Sequence, residues 1–76
     1  MSRDNRQQIE ETMRLTRDIF VDHWQHEVVE YRASPEHRRH LHYHLVRYWA
    51  GAIGGFESAA RLAGYDIGET DISVQE

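Results

Sequence analysis

Between Asn5 and Arg32 the chain has no glycine and no proline, and its apolar residues recur at helical spacing. On a wheel of 100° per residue, Ile9, Met13, Phe20, Trp24 and Tyr31 fall in one narrow arc that Val28 widens. Leu15, Ile19 and Val29 lie off that arc. The pattern predicts a long helix with two partly apolar faces and more than one neighbour.

Ser34-Pro35-Glu36 reads as the start of a second helix. Serine caps free backbone amides, proline fits the first helical position, and glutamate complements the positive helix end. Beyond it, Leu41, Leu45, Tyr48, Ala52 and Phe56 keep one face apolar, the face expected to meet helix 1. Residues 40–45 also alternate with period two, as a strand does, but the upstream cap and the downstream repeat favour helix. Gly51, Gly55, Ala59 and Ala63 recur every four residues, a strip that lets another backbone approach closely. The strip favours a continuous helix. The alternative is a kink or break at Gly54-Gly55 with a short third helix from about Phe56 to Ala63. Gly64 is placed to close the helix, with Tyr65 packing back on its last turn.

These elements predict an all-α fold: a long antiparallel hairpin of two helices, each ~42–45 Å long, over residues 1–65. Residues 66–76 form an acidic tail in which Ile67, Ile72 and Val74 are the docking candidates. A 76-residue chain without cysteine has a thin core and no disulfide to support it. Dimerisation into a four-helix bundle would supply the missing core. The N-terminal residues lack the apolar core of a secretory signal, and no apolar run approaches ~20 residues, so the expectation is a cytoplasmic chain with no membrane association.

Charge refines this picture. All nine basic residues are arginine, which compositional bias explains and which also suits bidentate pairing with carboxylate or phosphate. The formal charge of −4 is uneven: residues 1–31 carry −3, residues 32–49 carry +3 and residues 50–76 carry −4. The basic block coincides with most of a cluster of all six histidines, His23, His26, His37, His40, His42 and His44. Their protonation would make the surface pH-responsive.

A tight turn after Arg32 places side by side positions whose numbers sum to about 67. Glu30 is then expected near His37, Glu27 near His40, and His23 near His44. Inward carboxylates and imidazoles on neighbouring helices are how bundles build metal sites. His23, Glu27, His40 and His44 are therefore candidate ligands, joined by His37 and Glu30, for iron or zinc. The His23-x-x-x-Glu27 and His40-x-x-x-His44 pair resembles the ligand spacing on two successive helices of the hemerythrin family, whose oxygen-binding sites hold two irons. That family uses four helices and further ligands, so the resemblance implies a site completed by a dimer. The competing reading makes these groups structural contacts, with imidazoles stacked on aromatic rings.

Arg38, Arg39 and Arg47 interleave with Tyr43 and Trp49, residue types favoured at interfaces. Tyr43 and Trp49 lie off the Leu41/Leu45/Tyr48 stripe, so they are expected on the outside as partner contacts. Arginine and aromatics also suit nucleic acid, but the net charge and the acidic flanks weigh against it. Residues 57–64 resemble the first helix and turn of a helix-turn-helix, yet an acidic, glycine-interrupted segment stands where the recognition helix belongs. No nucleophile motif or phosphate loop is present. The sequence therefore points to a non-catalytic interaction or regulatory module acting as a homodimer and binding another protein. Metal binding is the first alternative and nucleic-acid contact the second.

Overall fold

A computed structural model of the chain describes residues 3–73. Helix α1 spans Arg3–Ala33, a single 3₁₀ turn covers Glu36–Arg38, and α2 spans Arg39–Leu62. The two helices pack against each other as an antiparallel hairpin, a rod measuring 53 × 17 × 16 Å. All regular structure among the described residues is helical. No helix among them is long and apolar enough to cross a membrane.

The turn is built differently from the expectation. Ser34 does not cap α2. Its hydroxyl donates backwards to the Glu30 carbonyl at 2.6 Å and so closes α1. Pro35 opens the 3₁₀ turn, whose Arg38 amide donates to the Pro35 carbonyl at 2.9 Å. The α-helix proper starts three residues after Glu36, with no side-chain cap at its N-terminus.

Helix α2 runs unbroken through Gly51, Gly54 and Gly55, so there is no third helix from Phe56. It ends in a Schellman motif. Gly64 takes φ 91°, its amide donates to the Arg61 carbonyl at 3.0 Å, and the Tyr65 amide donates to the Ala60 carbonyl at 2.9 Å. A side chain at φ near 90° would be strained, which is why glycine stands here.

The core is thin. Trp24 and Val28 of α1 meet Val46 and Ile53 of α2, and among the described residues only Ile53 is fully enclosed, at 0 % exposure. Phe20, Val21, Tyr31, Trp49 and Ala50 pack around them. The inward arc of α1 matches the expected one. The inward face of α2 matches only at Phe56, whose ring meets that of Phe20 edge-on with centroids 5.7 Å apart. Val46, Trp49, Ile53, Glu57 and Ala60 turn toward α1, while Leu41, Leu45 and Tyr48 stay exposed. Both faces have helical spacing, and the one carrying β-branched Val46 and Ile53 is the one buried.

The segment after Gly64 is docked. Ile67 is buried, and Ile72 packs against the core cluster. Residues 65–73 thus return along the hairpin as a strap. Val74 lies outside the described residues.

Candidate interaction surface

Two features of the rod stand out, a polar clamp that fixes its shape and an apolar surface that the clamp leaves uncovered. The clamp centres on Glu57, the buried charged residue of the described chain, at 7 % exposure. Its Oε2 accepts from the Arg17 guanidinium at 2.9 Å and from the Thr70 hydroxyl at 2.8 Å, and both carboxylate oxygens lie within reach of the Thr70 amide. Burial pushes the Glu57 carboxyl up, but the hydrogen bonds from Arg17 and Thr70 outweigh it and hold the group below its ordinary range. The hydrogen bond to Glu57 likewise raises Arg17 above the usual guanidinium value.

Three arginines of α1 reach strap carbonyls. Arg6 donates to Gly64, Arg14 to Asp66 at 3.1 Å and Arg17 to Ile67 at 2.9 Å. Arg6 also lies over the Tyr65 ring, 4.9 Å from its centroid. Arg61 pairs with Glu69 at 2.7 Å. Guanidinium suits this work because its planar fork offers several donors from one charge. Neither Arg17 nor Glu57 was a site candidate on the sequence. The available signal was positional: Arg6, Arg14 and Arg17 share one side of α1 on a helical wheel.

At the turn end, one of the expected cross-helix pairings forms in altered register. Glu27 meets His42 rather than His40, with Oε2 and Nδ1 3.3 Å apart. The 3₁₀ turn takes up residues before α2 begins, so every facing position comes later than a tight turn would place it. His37, His40 and His44 remain exposed. His23 stacks on Trp49 with ring centroids 4.5 Å apart and planes 10° apart, a ring not among Trp24, Tyr43 and Tyr48, where stacking was expected. Among the described residues, no three histidine or carboxylate side chains converge within one chain as a metal would require.

Trp49 corrects a second expectation. It is half-buried, packing on the core and against Phe20, so it is not an outward contact. Tyr43 is exposed, beside Arg47, whose guanidinium donates to the Tyr43 hydroxyl at 3.2 Å. Arg38 and Arg39 are exposed, and Arg39 lies over the Tyr31 ring at 5.8 Å.

The uncovered apolar surface lies elsewhere. On α2, Leu41, Leu45, Tyr48 and Leu62 are exposed, the last two at 65 % and 89 %. On α1, Leu15, Ile19 and Val29 form a second exposed set on the side of the helix away from α2. No protein-family model matches the chain, and no curated protein or solved structure shows significant similarity to it. What the surface can do is therefore argued from its own chemistry: bulky aliphatic and tyrosyl groups exposed along helix faces are suited to helix-on-helix contact.

Proposed function

We propose that this protein is a small non-catalytic interaction module that acts as a homodimer, two hairpins packing into a four-helix bundle and leaving a helix face for another protein. The observation that carries this reading is the bulky apolar side chain that one hairpin leaves in water, Leu41, Leu45, Tyr48 and Leu62 on α2. A lone hairpin with one fully enclosed side chain among its described residues is short of core, and a second hairpin over α2 would add to it. Leu15, Ile19 and Val29 on the far side of α1 would then remain for a heterologous partner.

Iron or zinc binding through His23, Glu27, His40 and His44 would need ligands from both hairpins, since among the described residues of a single chain only Glu27 and His42 pair as carboxylate and imidazole. Contact with nucleic acid through Arg38, Arg39 and Arg47 would work against the formal charge of −4.

Native mass spectrometry of the untagged protein at micromolar concentration tests the reading. A metal-free dimer mass is expected. A monomer at that concentration overturns it, and a dimer carrying stoichiometric iron or zinc replaces it with the metal-binding one.

A further inference from the structure

We infer that the second copy docks antiparallel on α2, along the strip from Leu41 to Leu62, with Ala52 at the twofold axis. The inference rests on the homodimer reading above and adds its direction and register. The strip begins Leu41, Leu45, Tyr48, Ala52 and continues through Gly55, Ala59 and Leu62. Its steps alternate between four residues and three, the spacing of a helix–helix seam.

Side-chain size along the seam is polarised. The first half is bulky and the second half, before Leu62, is small. Reversing one copy against the other matches them. Leu45 falls opposite Ala59 and Ala52 meets its own copy, while Tyr48 and Leu41 come within one residue of Gly55 and Leu62. Each large side chain in the middle of the seam then faces a small one, as close packing requires. The match is self-complementary, which is the condition for a closed twofold dimer. A parallel pair in register would set Tyr48 against Tyr48 and Gly55 against Gly55, crowding one half and emptying the other.

The glycines support the same surface. A Cβ built at Gly51, Gly54 or Gly55 would meet nothing within 4 Å, so the hairpin itself gives no steric reason for any of the three, of which Gly55 lies on the seam. Glycine inside a helix is unfavourable, and close approach of a second backbone is the reason Gly55 would be kept. Charge agrees with the direction. A parallel pair in register would set the +3 stretch of residues 32–49 against its own copy, which the antiparallel pair avoids. The antiparallel arrangement also opposes the helix dipoles. The strap leaves the seam open, because it bonds to Glu57 and Arg61, on the other side of α2.

The rod leaves more surface in water than a compact chain of its mass. The chain exposes 5726 Å², whereas a compact monomer of 9.0 kDa would expose about 4,850 Å². The difference, about 870 Å², is close to the ~800 Å² that each partner contributes to a stable interface.

The chain has no cysteine, so introduced ones report without background. Under mild oxidation, Ala52→Cys is expected to give a covalent dimer. Leu45→Cys alone is expected to stay uncrosslinked, and an equimolar mixture of Leu45→Cys and Ala59→Cys chains to crosslink. Gly55→Leu is expected to raise the dimer dissociation constant at least tenfold by analytical ultracentrifugation, with helicity by circular dichroism maintained. A wild-type monomer defeats the homodimer reading and this inference with it. A wild-type dimer in which Leu45→Cys crosslinks to itself, Ala52→Cys fails to, or Gly55→Leu has no effect defeats the inference alone.

Discussion

Arg17 of α1 and Glu57 of α2 meet at 2.9 Å inside the rod, and the carboxylate that joins them also holds Thr70 of the strap. One acid therefore ties together three segments that are far apart in the chain. Removing it leaves a guanidinium with 14 % side-chain exposure and only part of its bonding. Breaking a buried pair from one side costs about 3–5 kcal/mol, a large share of the stability of so small a domain. Glu57→Ala is expected to lower the urea midpoint sharply and to expose residues 66–73 to proteolysis. Thr70→Val, which removes one hydroxyl donor, should cost only about 1 kcal/mol.

Acid should loosen the same joint. The Glu57 carboxyl sits lower in the folded chain than its ordinary 4.5. The unfolded chain therefore binds a proton there before the folded one does. The stabilisation is complete above the unfolded value and is lost as pH falls through the folded one. Arg17, raised above the usual guanidinium value, adds no pH dependence in the working range. Unfolding free energy measured from pH 6 down to pH 3 should fall in the wild type, and Glu57→Gln should flatten that slope.

How much of this was legible in the residues depends on the element. The glycine-free run to Arg32 and the arc containing Trp24 and Val28 located α1 and its inward face, because both follow from one periodicity. Helix α2 was legible as an element but not in orientation. Two stripes of helical spacing compete there, and the stripe with more leucine is the exposed one. The choice was made by contacts with α1 and the strap, which no local pattern contains. The histidine register slipped because a 3₁₀ turn, not a tight reversal, follows Pro35. The Arg17–Glu57 clamp was hidden for a different reason: a charged residue reads as surface until its partner, 40 positions away, is placed beside it.

The reversal of faces on α2 gives a direct test. Ile53 is fully enclosed, so Ile53→Ala should destabilise the hairpin by about 2–5 kcal/mol through lost burial and a cavity. Leu45 is exposed within one chain, so Leu45→Ala should change the stability of the dissociated hairpin by no more than about 0.5 kcal/mol. Chemical denaturation at low protein concentration separates the two. The reverse ranking would restore the Leu41/Leu45/Tyr48 face to the interior.

Two glycines of α2 and its cap should respond oppositely to the same change. Gly54 sits in a helix interior where a Cβ would meet nothing within 4 Å, so Gly54→Ala reduces the freedom of the unfolded chain without a steric penalty. It should stabilise by about 0.5–1 kcal/mol. Gly64 holds φ 91° in the Schellman turn, and its carbonyl receives the Arg6 guanidinium. Gly64→Ala forces an L side chain into that left-handed conformation at a cost of about 1–2 kcal/mol. It should also loosen the start of the strap, because Arg6, Arg14 and Arg17 grip carbonyls that the turn sets in place. Melting temperatures of the two variants should move apart, upward for Gly54→Ala and downward for Gly64→Ala, with faster amide exchange at Ile67 and Thr70 only in the second.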